Sequence, residues 1–100
     1  MIQKAVILNA KDNVATALAD LKDGDTLELK AGEEDLTLKL TDPVPFGHKF
    51  SLAKIESGAA VIKYGEAIGI ATVDIQPGAY VHVHNVASAR GRGDLEGGAK

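Results

Sequence analysis

The sequence contains no cysteine and no tryptophan, and only four of its 100 residues are aromatic. Without cysteine, a disulfide framework and a thiolate metal site are excluded, which agrees with a reducing compartment. The apolar run near the N-terminus is too short for a signal peptide or a membrane span, so we expect a cytoplasmic protein with no membrane partner. The net charge of −3 gives no reason to expect nucleic acid as a partner.

The residues that are abundant indicate a small β protein. Valine, isoleucine, leucine and alanine supply most of the apolar side chains, and eleven glycines indicate many tight turns. We therefore expect a mainly β fold with short strands. The chain length suits one domain, predicted over residues 1–87. Residues 88–100 are rich in glycine and poor in apolar side chains, which predicts a flexible tail.

One segment shows a helical period. Its apolar side chains recur at i, i+3, i+4 and i+7, namely Val14, Ala17, Leu18 and Leu21. Asp12 stands where a helix N-cap is expected, and Gly24 can supply a left-handed C-terminal cap. The pattern predicts one short N-terminal helix that packs its apolar face on the core.

Alternating apolar residues predict strands elsewhere. A first strand is predicted at Ile2–Leu8, and the segments Thr26–Lys30 and Asp35–Leu40 form a hairpin with one leucine face. Two further short strands are predicted between Lys63 and Ile70, where glycines mark bends, bulges or a close approach of the backbone.

A weak internal repeat has the form apolar-x-x-Gly-x-x-apolar. It occurs at Leu21/Gly24/Leu27, Val44/Gly47/Phe50, Ile55/Gly58/Val61 and Ile75/Gly78/Val81. Each copy reads as an apolar anchor, a turn that needs glycine, and a departing strand. The spacing between copies is irregular, so the pattern predicts one compact, folded-over β structure and not a solenoid.

All three histidines lie between Gly47 and Asn85. His82 and His84 are two residues apart, so on a strand both imidazoles would point to one side. Such a pair can share a metal ion or bind an anionic substrate. His48 follows a turn glycine, and it could equally be a residue that only caps the turn.

These segments carry a resemblance to a known family. The relevant motifs are Asp12-Asn-Val-Ala15, Gly47-His-Lys-Phe50, Ile55-x-x-Gly58, Val61-Ile-Lys-Tyr-Gly65, Ile68-Gly69, Ile75-x-x-Gly78 and His82-Val-His-Asn85. Together they resemble the N-terminal SAF-type domain of the altronate/galactarate dehydratase family, in particular its altronate dehydratase and sulfolactate sulfo-lyase branches. The resemblance implies a β-clip (SAF-like) fold. In some members this domain is a separate small subunit. The length of this chain fits that arrangement, and its segment 88–95 resembles the corresponding segment of such subunits.

The resemblance implies that the chain is the small subunit of a lyase that removes water from a sugar acid such as altronate, beside a large catalytic subunit. It also implies a divalent metal, iron or manganese, shared with that partner. Elimination needs a base, an acid and a cation that stabilises the enediolate. The expected residues are His48, Lys49, His84 and Asn85 for catalysis, Lys63, Arg90 and Arg92 for substrate binding, and His82 and His84 for the metal.

Other interpretations remain open at this point. The leaving group could be sulfite, as in the sulfolactate sulfo-lyase branch, or the domain could be a non-catalytic module for carbohydrate binding or assembly. Lys63 fits a solvated strand position, and Tyr64 fits a core position with its hydroxyl at the rim.

Overall fold

The computed structural model describes residues 4–31 and 34–88, and its regular elements there are all β-strands. The strands are β1 (Ala5–Val6), β2 (Val14–Ala17), β3 (Thr26–Ala31), β4 (Glu34–Lys39), β5 (Lys49–Ser51), β6 (Ala60–Lys63), β7 (Glu66–Ala71), β8 (Tyr80–Val81) and β9 (Val86–Ser88). The predicted mainly β class is confirmed. No helix occurs in these two ranges, and so none that would cross a membrane.

The strands form three antiparallel sheets. One has the order β1-β2-β5-β8, a second is the hairpin β3-β4, and the third has the order β6-β7-β9. In the first sheet β2 lies between β1 and the distant β5, and β5 lies beside β8, so the strand order depends on long-range pairing. Strand β8 of this sheet leads directly into the segment that contains His82 and His84.

The prediction of a short N-terminal helix is wrong. The segment forms β2, where Val14 pairs with Ser51 and Ala15 pairs with Phe50 of β5. Val14 packs in one core cluster, whereas Ala15 packs in the other, so β2 is buried on both faces. A strand with two apolar faces, followed by a turn to buried Leu21, produces the same spacing as a helix, and pairing with two neighbours decides between them.

The predicted capping residue has a different role. One carboxylate oxygen of Asp12 accepts the backbone N–H of Gly65 at 2.8 Å. The next side chain, Asn13, accepts from the N–H of Ile62 at 2.7 Å and donates to the carbonyl oxygen of Ala60 at 3.0 Å. Both residues therefore fasten the start of β2 to the β6–β7 hairpin. Leu18, which the helix would have buried, is exposed.

The predicted leucine hairpin is confirmed. Leu27 of β3 pairs with Leu38 of β4, and Leu29 pairs with Leu36. The ladder continues to Ala31 and Glu34. Strand β3 therefore ends one residue later than predicted, β4 begins and ends one residue earlier, and the connection is shorter. Residues 32 and 33 lie outside the described part. The predicted first strand is shorter in the structure, which assigns only Ala5–Val6 to β1 within the described residues.

The four copies of the internal repeat have the same local structure. Their turn glycines, Gly24, Gly47, Gly58 and Gly78, all have φ between 84° and 91°. The apolar residues that flank these glycines are all buried: Leu21, Leu27, Val44, Phe50, Ile55, Val61, Ile75 and Val81. The predicted turn-and-anchor unit is therefore confirmed.

The copies associate in pairs, and each pair builds one core. Leu21 and Val44 exchange two backbone hydrogen bonds of 2.9 Å, and Ile55 and Ile75 exchange two of 2.8 and 2.7 Å. The anchors of the first two copies belong to one core cluster, and those of the last two belong to the other. The β2–β5–β8 ladder runs between the two clusters.

The strands predicted between Lys63 and Ile70 are parts of β6 and β7, with a register shift between Val61 and Ile62. Gly69 lies against β9, where a Cβ atom would meet the side chain of Val86 and the carbonyl oxygen of Ala87. The close backbone approach predicted there is confirmed. The core position predicted for Tyr64 is wrong: it stands at the hairpin turn with φ of 60°, and its residue surface is 62% exposed.

Candidate functional site

The HxH segment lies in a turn and not on a strand. Strand β8 ends at Val81, and residues 82–85 form the turn that leads into β9. The N–H of Asn85 donates to the carbonyl oxygen of His82 at 3.1 Å, while the side-chain oxygen of Asn85 accepts from the N–H of His82 at 3.0 Å. The condition considered for the histidine pair, a strand that runs through His84, is therefore not met, because the buried Asn85 closes a turn there.

The three histidines nevertheless meet around one aromatic ring, that of Tyr80. The ring of His82 stacks on Tyr80 with a centroid distance of 5.5 Å and an interplanar angle of 10°. The ring of His84 lies at 5.5 Å from Tyr80 on a tilted plane. His48 completes the group, 5.7 Å from Tyr80 and 4.9 Å from His82. We call these four side chains the imidazole–tyrosine cluster.

A short hydrogen bond links Tyr80 to His48. The phenolic oxygen lies 2.6 Å from Nδ1 of His48, across a separation of 32 residues. The backbone of His48 is fixed as well, because its N–H donates to the carbonyl oxygen of Pro45 at 3.0 Å and its own carbonyl oxygen accepts from Ala17 at 2.8 Å. His48 thus has a defined orientation, and it does not point freely into solvent.

Tyr80 is the member of the cluster that the sequence reasoning missed. Its backbone N–H donates to a carboxylate oxygen of Asp42 at 2.9 Å, and its carbonyl oxygen accepts from the side-chain amide of Asn85 at 2.8 Å. Its ring packs against the larger core cluster. The alternation that placed His82 and His84 together also applies to Tyr80 and His82, and this signal was available in the sequence.

Lys49 and Lys63 belong to a different surface. Lys49 pairs with Val81, whereas its neighbour Phe50 pairs with Tyr80, so alternation along β5 directs Lys49 to the face opposite Tyr80. Partial burial, together with the nearby charge of Lys63, lowers the pKa of Lys49. The structure therefore brings the two lysines near each other and separates them from the cluster.

The other predicted site residues divide into two groups. Asn85 lies beside the cluster, and the two ends of its amide are engaged by the backbone of Tyr80 in β8 and of His82 in the turn. Arg90 and Arg92 lie outside the described residues, so their predicted substrate-binding role stays a prediction.

A divalent metal requires a suitable donor set, and iron and manganese favour carboxylate oxygens beside imidazole. Over residues 4–31 and 34–88 no three His, Cys, Asp or Glu side chains are grouped so that they could hold a metal ion. The imidazoles that were predicted as ligands instead pack on the ring of Tyr80. The described residues of this chain therefore do not fit a complete iron or manganese site.

Comparison with known proteins gives relatives of two sizes. This chain is 47% identical in sequence to the altronate dehydratase of Escherichia coli (strain K12). The matched region covers 78% of this chain and 15% of that protein. The altronate dehydratase of Bacillus subtilis (strain 168) is 35% identical, again with 15% of its length covered. The chain thus spans a small part of these two enzymes.

A shorter relative has almost the same extent as this chain. The (2R)-sulfolactate sulfo-lyase subunit alpha of Chromohalobacter salexigens is 33% identical, over 85% of this chain and 94% of that subunit. The family described as the altronate/galactarate dehydratase SAF domain matches residues 3–89. Both findings agree with the motifs around the histidines, and the chain belongs to the altronate/galactarate dehydratase SAF-domain family.

Proposed function

We propose that this chain is the small subunit of a hydro-lyase that removes water from a sugar acid such as altronate. In this proposal it contributes the imidazole–tyrosine cluster to an active site shared with a large catalytic subunit. The observation that supports it most is the meeting of His48, His82 and His84 around Tyr80 in a domain whose relatives are lyases.

The chemistry of elimination suits such a cluster. Loss of water from a sugar acid removes a proton beside the carboxylate and protonates the departing hydroxyl. Imidazole is the side chain best suited to both transfers near neutral pH. His82 and His84 are exposed and separated by one residue in the turn, so a ligand brought by a partner can reach both.

The exposure of the site supports a shared arrangement. His82, Val83 and His84 are all exposed, and Val83 at the tip of the turn is 81% exposed. Such an exposed turn does not enclose a sugar acid and does not exclude water from it. The large subunit would supply the remaining wall and the groups that stabilise the enediolate. If iron or manganese takes part, His82 and His84 are the residues of this chain that would contribute to its ligands.

A second function has its own observation. The chain covers 94% of a relative named as a sulfo-lyase subunit alpha, a name that belongs to an enzyme of more than one subunit. The leaving group would then be sulfite in place of water. A third hypothesis is a carbohydrate-binding or assembly module without catalytic residues. In that case the exposed cluster would bind the hydroxyl groups of a carbohydrate through hydrogen bonds.

The experiment first tests whether a large subunit co-purifies with this chain, and then assays the complex reconstituted from the two. His84→Ala should lower the rate of elimination by about 100-fold, in line with the loss of a general acid or base, while assembly persists. Val83→Ala, on the exposed side chain between the histidines, is the matched control and should leave the rate unchanged. Full activity of the His84→Ala complex would reject the catalytic function.

The same complex distinguishes the two leaving groups. Altronate and sulfolactate are offered separately, and release of the keto acid and of sulfite is measured. Sulfite release without aldonate dehydration would favour the sulfo-lyase. If the complex binds a sugar acid but releases neither product, the non-catalytic module is favoured.

A further inference from the structure

We propose that Tyr80 is a positioning residue for His48, and that its hydroxyl donates to Nδ1 so that the neutral imidazole carries its proton on Nε2. His48 would then present an N–H donor, and not a lone pair, to a bound ligand. The inference deepens the proposed function, on which its catalytic consequence rests. The tautomer itself rests only on the contact between Tyr80 and His48.

The length of the contact favours the tyrosine as donor. Hydrogen bonds donated by O–H are shorter than those donated by N–H, with usual separations of about 2.7–2.8 Å against about 2.9–3.0 Å. The observed 2.6 Å lies on the O–H side of this range. A phenol is also a good donor, and the unprotonated nitrogen of a neutral imidazole is a good acceptor, so the O–H to Nδ1 arrangement satisfies both groups.

The surrounding structure holds both partners in this arrangement. Tyr80 is fixed by the carboxylate of Asp42 on its N–H and by the amide of Asn85 on its carbonyl oxygen. His48 is held through its own backbone hydrogen bonds to Pro45 and Ala17. Neither residue has to be ordered when a ligand binds, which is the condition for effective positioning.

The tautomer determines what His48 can recognise. An Nε2–H donor matches an oxygen with a free lone pair, such as a carboxylate or hydroxyl oxygen of an acid substrate. While the bond to Tyr80 persists, Nε2 of a neutral His48 is unavailable as a base. We therefore assign substrate orientation to His48 and leave the base to His84, which contacts Tyr80 through its ring.

The test is long-range ¹H–¹⁵N correlation NMR of the complete chain, under conditions where His48 is neutral. The expected spectrum shows Nε2 of His48 as the protonated nitrogen and Nδ1 as the unprotonated one. In Tyr80→Phe the preference should relax towards a mixture of the two tautomers. Tyr64→Phe, which removes a hydroxyl from the exposed β6–β7 turn, is the matched control and should leave the His48 signals unchanged.

Nδ1 protonated in the wild-type chain would overturn the proposal, and so would a Tyr80→Phe chain that is folded and has unchanged His48 signals. If Tyr80→Phe fails to fold, the wild-type spectrum decides alone. In the reconstituted complex, Tyr80→Phe should lower kcat/KM about tenfold, the loss expected for one neutral hydrogen bond. A confirmed tautomer together with a fully active His84→Ala complex would reject the proposed function and keep this inference.

Discussion

The side-chain amide of Asn85 donates to the carbonyl oxygen of Tyr80 at 2.8 Å and thereby closes the turn that carries His82 and His84. The same side chain accepts from the N–H of His82. The turn is therefore built around a buried asparagine, and the ring of Tyr80 is aligned with the imidazoles as a consequence. Asn85 was predicted as a catalytic residue. In the free chain it already has a structural role, and a catalytic role would be additional to it.

Replacing Asn85 by alanine should lower the free energy of unfolding by about 2 kcal/mol, because the N–H of His82 and the carbonyl oxygen of Tyr80 both lose a part-buried hydrogen bond to this buried side chain. Urea unfolding measures the change. Gln76→Ala, at an exposed amide, is the control and should stay within about 0.5 kcal/mol of the wild type. Equal stability of the Asn85→Ala and Gln76→Ala chains would show that the turn does not depend on the asparagine.

Two turn glycines with similar backbones should respond differently to alanine. Gly58 and Gly78 have φ of 91° and 84°, so both substitutions incur the cost of a left-handed residue, about 1 kcal/mol. A Cβ at Gly58 meets open space, whereas one at Gly78 would meet the carbonyl oxygen of Lys39. Gly78→Ala should therefore cost about 2 kcal/mol more than Gly58→Ala. Thermal or urea unfolding of the two variants provides the comparison, and equal losses would contradict the close approach.

Equivalent substitutions in the two pairs of repeat copies should lower the stability of the chain by similar amounts. The carboxylate of Asp20 accepts the N–H of Phe46 at 2.9 Å, and that of Asp74 accepts the N–H of Ser57 at the same distance. Each aspartate precedes the anchor that forms the backbone bridge. Asp20→Ala and Asp74→Ala should each destabilise the chain by about 1 kcal/mol, while Asp23→Ala at an exposed turn should have little effect. A large difference between Asp20→Ala and Asp74→Ala would argue against the equivalence.

Lys49 predicts a pH dependence of stability. Partial burial and the charge of Lys63 lower its pKa in the folded chain below the ordinary value of 10.5. Between the lowered value and 10.5 the unfolded chain binds more protons, so the Lys49 contribution to the free energy of unfolding rises with pH. The Lys49→Met substitution should therefore raise the free energy of unfolding most at neutral pH. This increase over wild type should become smaller as the pH approaches 10.5.

The measurement for Lys49 is urea unfolding of wild type and variant across this range. Lys54→Met, at an exposed position, corrects for the general loss of a positive charge. The difference in the free energy of unfolding between wild type and each variant is followed with pH. If this difference changes no more for Lys49→Met than for Lys54→Met, Lys49 is not the group that titrates.

Local patterns predicted those parts of the fold that depend on neighbours along the chain. Leu27 and Leu29 alternate with polar residues, and a period of two is a property of a single strand, so the hairpin with Leu36 and Leu38 was predicted with its correct face. The turn glycines were predicted for a similar reason. Only a residue without Cβ adopts φ near +85° at little cost, as Gly47 does.

The segment from Asp12 to Gly24 failed as a prediction because its pattern has two explanations. Apolar residues at helical spacing also arise when a strand is covered on both faces, and Val14 and Ala15 are buried in two different clusters. Pairing with β1 and β5 selects the strand, and those partners cannot be recognised from the segment itself.

The candidate site divides in the same way. The nearness of His82 and His84 follows from the sequence, because residues two apart along the chain remain neighbours in a strand or a turn; Tyr80, just before them, was not predicted as part of the site. The contact of His48 with them and the opposite orientation of Lys49 depend on how distant strands pair, which the sequence pattern does not show. The contact between His48 and Tyr80 spans 32 residues and is made by the pairing of β5 with β8, and such pairing depends on the packing of both cores.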